Sequence, residues 1–356
     1  MFPFFSQSLS LKDKILFYEA VANLLEGGIT LLSALKWLLS RAHSQILHET
    51  LENLIFFIES GDALNIAMRK FPNIFDEKEI AIIESGEQTG MLKDAFRAIA
   101  SELRMQSELK TKVIGALTYP FVIMFFLLLA LTVVMTYVVP QLIPIITEVT
   151  SDISWSTRSL IFVSNFLRNN MLFLILIFVA TGLILRGYIM TESGRKKFDI
   201  MKIYFPIIGT VYKNYIIVQV MSTFQLLASS GISIVKTLKL TWQAAGNSKI
   251  AEMYTYIASE VSKGRKISAA MADSDKEWYI FTSDIIQMIE SAEKTSTVHQ
   301  VSLRISEQYR REVDASLAIM VKLIEPIALL MAGVFVMWFA IAIFSSIMQV
   351  VGVAGN

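Results

Sequence analysis

Three uncharged apolar runs constrain this chain more than any other feature. Residues 113–139 (VIGALTYPFVIMFFLLLALTVVMTYVV), 171–185 (MLFLILIFVATGLIL) and 326–350 (PIALLMAGVFVMWFAIAIFSSIMQV) contain no Lys, Arg, Asp or Glu. A helix needs about 20 apolar residues to cross a bilayer. The first and third runs exceed this, and the second approaches it when Gly187 and Tyr188 extend it to 171–188. Any of them could instead be a core helix of a soluble protein. The composition argues otherwise, because 54% of the 356 residues are hydrophobic and only 18% are charged, less charge than a soluble chain of this size carries. Three transmembrane helices are therefore expected.

The basic residues orient them. Of 32 Lys and Arg, only Arg158 and Arg168 lie between the first two spans, whereas Arg186, Arg195, Lys196 and Lys197 follow the second. Cytoplasmic flanks carry the excess of positive charge. Residues 1–112 and 189–325 are thus expected in the cytoplasm, and the loop 140–170 and the tail 351–356 in the periplasm. The run GRKK at 194–197 is then an ordinary positive flank, compatible with contact to anionic membrane lipid. The N-terminal MFPFFSQSLSLKDK has no basic segment followed by an apolar one, so no cleavable signal is expected.

The chain also repeats itself. LLEGGITLLSAL (24–35) aligns with LLASSGISIVKTL (226–238) at an offset of 203, which pairs Gly28 with Gly231, Gly61 with Gly264 and Met68 with Met271. After a three-residue insertion, IIESGEQTGML (82–92) aligns with MIESAEKTSTV (288–298) at an offset of 206, which holds to Pro120 and Pro326. A cytoplasmic domain followed by a transmembrane helix has been duplicated.

Each cytoplasmic copy reads as helical. Leu11, Ile15, Tyr18, Ala22 and Leu25 fall on one helical face, and Gly27 and Gly28 end that helix. Further helices are expected at 31–39 and 44–59, the latter stopping at Gly61. Asp62 would cap the next short helix, and Phe71-Pro72 breaks the chain again. Asp76 with Glu79 has the spacing of a capping box, on a helix expected to end at Gly86. No segment alternates with period two, so no sheet is expected. The fold class is an all-α membrane protein with two homologous six-helix cytoplasmic bundles and three transmembrane helices. Residues 93–112 and 298–325 contain no Pro or Gly, so the last helix of each bundle should run on as a stiff rod. Pro120 and Pro326 could kink these rods where they meet the membrane.

Enzymatic signals are missing. There are no cysteines and no GxxxxGK[ST] or HExxH sequence, and the three histidines include a pair, His43 and His48, spaced off one helical face. A net charge of +1 gives no case for nucleic acid. No charge lies within a span, where transporters usually keep one; Glu325 sits at the edge. The repeated Glu84 and Glu87, with Glu290 and Glu293, admit a divalent-cation site or acid–base chemistry. They equally admit a structural corner, in which Gly86 allows the turn and Glu87 lies near the positive end of the following helix. No cofactor is expected. A transporter or a membrane enzyme remains as an alternative class.

LLEGGITLLSAL, IIESGEQTG, FPIIG (205–209) and MIESAEKT together resemble the type II secretion system protein F family, over about residues 10–350. These are the inner-membrane platform proteins of type IV pilus and type II secretion machines, and the compact form looks more like the type IVb pilus members. The resemblance implies a non-enzymatic platform for pilus biogenesis, or alternatively for a secretion pseudopilus. Its implied partners are a hexameric cytoplasmic ATPase, pilin or pseudopilin subunits, other inner-membrane assembly proteins and further copies of itself. The candidate partner-binding residues are Glu84, Glu87, Gly90, Glu290 and Glu293, in the stretches Glu84–Gly90 and Glu290–Ser296. The second copy departs from the first, with Ala292 and Ser296 for Gly86 and Gly90.

Overall fold

The computed structural model describes residues 9–42, 44–147, 154–204, 208–275 and 280–354. His43, residues 205–207 of the FPIIG motif, and both chain ends lie outside them. Every regular element among the described residues is helical. Two units form, one from residues 1–112 with 199–315, the other from 113–198 with 316–356.

The first unit contains the bundle of each copy of the repeat. Copy one comprises α1 (Leu11–Glu26), α2 (Leu31–Leu39), α3 (Gln45–Glu59), α4 (Leu64–Arg69), α5 (Glu77–Thr89) and the start of α6 (Leu92–Val133). Ser10 caps α1 by accepting the Asp13 N–H at 3.1 Å. Tyr18 and Ala22 of the expected apolar face are buried, and Leu11, Ile15 and Leu25 pack at its margin. The face is centred on Phe17, Tyr18 and Val21. Phe17, Tyr18 and Phe96 pack with ring centroids 5.0–5.9 Å apart, and Phe75 joins through Phe17 at 5.8 Å. The turns after α1 and α3 pass through Gly28 and Gly61, both at positive φ.

Three charged or polar side chains interrupt this core. Lys14 Nζ lies 2.8 Å from Glu79 Oε1, and the Tyr18 hydroxyl donates to Glu79 Oε2 at 3.1 Å. Burial pushes the Glu79 carboxyl above its ordinary range against the pull of Lys14. The same oxygen accepts the Asp76 N–H at 3.1 Å, which closes the expected capping box.

Copy two follows α9 (Glu192–Tyr204) and comprises α10 (Ile208–Ser229), α11 (Ile234–Ala245), α12 (Ser248–Ser262), α13 (Ile267–Ser274), α14 (Ser283–Thr295) and the start of α15 (Val298–Ala354). Gly231 and Gly264 again make the positive-φ turns. At the positions corresponding to Lys14, Tyr18 and Glu79, this bundle buries Ile217, Met221 and Ile285. Asp199 of α9 holds the α11–α12 junction, accepting the Ser248 N–H at 3.2 Å.

The bundles meet through α5 against α10 and α11. Leu226, Leu227 and Leu240 of copy two are part of the core of copy one. Ser85 Oγ donates to the Ser230 carbonyl, and Lys236 pairs with Glu84 at 3.2 Å. Glu102 accepts Ser222 Oγ at 2.9 Å. Arg310 reaches Glu108 at 3.0 Å and Lys112 reaches Asp314 at 2.9 Å.

Helices α6 and α15 continue without a break past residues 112 and 315 into the second unit, with Pro120 and Pro326 inside them. There α6 passes into a π-helical segment at Val134–Val138 and then α7 (Val139–Thr147), beside α8 (Trp155–Met190). Ser164 Oγ donates to the Met135 carbonyl at 2.6 Å, inside the π segment. Thr157 donates to the Ala342 carbonyl at 2.8 Å, and Trp338 Nε1 to Ser159 Oγ at 3.2 Å. Among the described residues, three helices are long and apolar enough to cross a membrane. The second is longer than its apolar run, since α8 begins at Trp155, where Ser154 accepts the Thr157 N–H at 3.3 Å. Hydropathy marks only the greasy part of a helix whose caps lie outside it.

Candidate functional site

The repeated acidic corner is built differently from the sequence expectation. Helix α5 does not end at Gly86; it continues to Thr89, and Gly90 makes the turn at φ 72°. Gly86 is inside the helix because α5 and α6 approach closely there. A Cβ on it would stand 2.7 Å from that of Ala95. In copy two, Ala292 occupies this place and is buried, and Ser296 adopts the left-handed turn at φ 56°. That is the one positive φ outside glycine among the described residues, and it costs about 1–2 kcal/mol for a residue with a Cβ.

Glu87 does lie at the positive end of a helix, but not the following one. Its carboxylate accepts the N–H groups of Leu64 at 2.8 Å and Asn65 at 3.0 Å, the first turn of α4. Asp62, expected to cap α4, pairs instead with Lys70 at 2.7 Å, and the Ncap residue Ala63 has no side-chain acceptor. Glu293 repeats the arrangement, accepting the N–H groups of Ile267 and Ser268 and the Ser268 hydroxyl at the start of α13. A short helix without a cap of its own thus borrows a carboxylate from the neighbouring helix, which meets both its unsatisfied N–H groups and its dipole.

Glu84 and Glu290 do not converge with these capping carboxylates. Glu84 lies between Lys236 at 3.2 Å and Arg69 at 3.9 Å, in the contact between bundles. Glu290 points to solvent, where a hydrogen bond from Lys294 at 2.9 Å and its charge lower the carboxyl below its ordinary value. Among the described residues no group of three His, Cys, Asp or Glu could hold a metal ion. The two copies of the corner therefore differ in access. Ser85 is engaged with copy two, whereas Ser291, Lys294 and Thr295 are exposed.

The sequence reading missed the Lys14–Tyr18–Glu79 cluster and the Glu102 contact. A signal for the first existed: Lys14 stands three residues after Leu11 and four before Tyr18, on the apolar face itself.

Comparison with known proteins agrees with this architecture. The type II secretion system (T2SS), protein F family matches residues 17–140 and again 221–345, once over each repeat. Type IV pilus assembly protein PilC of Thermus thermophilus is 29% identical over 350 residues, covering 98% of this chain and 85% of that protein. PilC of Myxococcus xanthus is 24% identical, covering 96% and 81%. Type II secretion system protein F of Aeromonas hydrophila is 21% identical, covering 98% and 89%. With both bundles and the helices that follow them matched in order, this chain belongs to the type II secretion system protein F family.

Proposed function

We propose that the protein is an inner-membrane platform for type IV pilus biogenesis, which couples a cytoplasmic assembly ATPase to the insertion of pilin subunits. The observation that carries this reading is the continuity of α6 and α15. Each runs unbroken from a cytoplasmic bundle into an apolar span, so force applied to a bundle is transmitted and not absorbed in a loop. The names of the PilC relatives favour a pilus over export. The match to the Aeromonas secretion protein supports the second reading, a platform for a secretion pseudopilus. The excess of Lys and Arg in 1–112 and 189–325 favours a cytoplasmic N-terminus and a periplasmic C-terminus.

The exposed corner around Glu290 and Lys294 is the better candidate for the ATPase than its counterpart at Glu84, which is taken up by the bundle contact. Glu87 and Glu293 would influence a partner through the helices they cap. The platform is a scaffold without chemistry of its own, and pilin contact falls to the spans.

The test is a clean deletion strain, imaged for surface filaments with pilin quantified in the same cells. Loss of filaments with pilin retained in the inner membrane is expected. Intact filaments with failed protein export would transfer the proposal to the secretion machine.

A further inference from the structure

The two bundles differ in charge where α14 turns into α15. Beside that corner, copy two has an open groove of about 570 Å³, within the size range of small binding sites. Its apolar floor is formed by Ala228 of α10, Ile234 of α11, Ile267 of α13 and Val298 of α15. In copy one, Leu25 and Leu31 stand at the places of Ala228 and Ile234 and pack against the core. The change from Leu25 to Ala228 removes three carbons from that wall.

The rim is basic. Lys266 and Lys294 stand on it beside His299, whereas copy one has Ala63 and Gln88 at the two lysine positions. Lys266 is exposed and forms no ion pair among the described residues. Lys294 pairs with Glu290 at 2.9 Å on the outside of α14, an exposed contact of little energy that another carboxylate can replace. Arg265, at the place of Asp62, also reaches the groove but is held by Glu260 and Asp273. The one carboxylate in the lining, Glu293, is occupied by the N–H groups of Ile267 and Ser268.

Behind the floor the core is not fully closed. Ile267 and Val298 also wall an internal cavity, in which the Ser302 hydroxyl is buried without a hydrogen-bond partner. Ser302 corresponds to Phe96, whose ring packs against Phe17 and Tyr18 in copy one. A close-packed wall resists displacement; the floor of this groove has slack that the equivalent wall of copy one lacks.

The chemistry of the groove selects among anions. Phosphate is held best by backbone N–H groups at a helix start, and those of α13 are already taken by Glu293. What is left is separate cations around an apolar floor. That arrangement suits carboxylates spaced along a chain on either side of an apolar side chain.

We propose that this groove of copy two binds a short acidic segment of a partner protein, with carboxylates on Lys266 and Lys294 and an apolar side chain on Ile234, Ile267 and Val298. The proposal rests on the reading of the α14 corner as the partner-facing one and adds the chemistry of the segment that docks. Copy one, with Leu25, Ala63 and Gln88, does not offer the same site.

To test it, random short peptides displayed on phage are selected on the full chain in lipid nanodiscs, with a Lys266→Glu, Lys294→Glu variant as the counter-selection. Both side chains are exposed, so the variant should fold. The expected enrichment is Asp and Glu flanking an apolar residue. A synthetic peptide of the selected sequence should bind the variant about tenfold more weakly by fluorescence anisotropy. Ala63→Glu with Gln88→Glu, the matching changes in copy one, should leave its affinity unchanged. Enriched peptides that are not acidic, or that the variant binds equally, would overturn the proposal. Displacement of the peptide by inorganic phosphate at constant ionic strength would also overturn it and reassign the groove to a phosphate-bearing ligand. Surface filaments in cells carrying the Lys266→Glu, Lys294→Glu variant test the corner separately. Peptide binding with normal filaments keeps the groove and removes the corner from pilus assembly. Failed peptide binding with filaments lost removes the groove site and leaves the corner.

Discussion

At the scale of residues, the two bundles solve one packing problem with different chemistry. Copy one buries Lys14, Tyr18 and Glu79 together, where copy two buries Ile217, Met221 and Ile285. A buried ion pair returns its desolvation cost only while both partners remain, and an apolar replacement of similar volume is often no worse. Glu79→Ala should therefore destabilise the α1–α5 contact by about 3–5 kcal/mol, because Lys14 is left charged and unpartnered. The triple variant Lys14→Ile, Tyr18→Met, Glu79→Ile, borrowing the solution of copy two, should recover wild-type stability or exceed it by about 1–4 kcal/mol. Hydrogen exchange of α1 and α5 amides in the full chain reads both. A triple variant as unstable as the single one would show that the cluster does more than fill the core. The presence of a charge on the apolar face of α1 was legible in the spacing of Lys14 from Leu11 and Tyr18. Its partner, 65 residues away in Glu79, was not, since no local pattern links two helices that meet only on folding.

At the scale of elements, the repeated glutamates are best understood through the helices they serve. Helix α4 has six residues and no cap of its own, and helices this short do not hold together without outside contacts. Glu87 and Glu293 supply the missing acceptors for α4 and α13. Loss of such a cap costs about 0.5–2 kcal/mol, so Glu87→Ala and Glu293→Ala should each speed amide exchange in α4 or α13 by up to roughly thirtyfold. Glu290→Ala, which removes only an exposed pair with Lys294, should leave exchange in α13 and α14 unchanged. Equal effects of all three substitutions would refute the division of roles. That these glutamates sit at a helix terminus was readable from the sequence. The terminus itself was misassigned, because a carboxylate at the end of α5 reaches sideways to α4 as easily as forward to α6. Gly86 was misread for a related reason: a glycine that lets two helices touch and a glycine that lets a chain turn look identical in sequence.

At the scale of the whole molecule, the contact between bundles contains a buried carboxyl, that of Glu102. Burial pushes Glu102 above the ordinary carboxylate value of 4.5, and hydrogen bonds from Gln106 and Ser222 only partly offset this. The folded state then holds its proton where the unfolded chain has lost it. The contribution of Glu102 is accordingly most favourable below the ordinary value and declines as pH rises through the raised folded value. Glu102→Gln, which places there the residue that copy two has at Gln308, should remove this decline and stabilise the pair of bundles at neutral pH. Urea unfolding of both proteins across that window is the check, and parallel pH profiles would count against it.

The sequence alone determined the all-helical class, the duplication, the three apolar helices and the family resemblance. All of these follow from local periodicity, hydropathy and self-similarity, which a linear chain carries in full. Tertiary structure decided which of two near-identical surfaces is spent. Ser85 and Ser291, or Leu240 and Trp37, occupy equivalent places in equivalent bundles, yet Ser85 and Leu240 are covered while Ser291 and Trp37 are exposed. A head-to-tail contact between two copies breaks their equivalence, and nothing local to either copy records which end it uses.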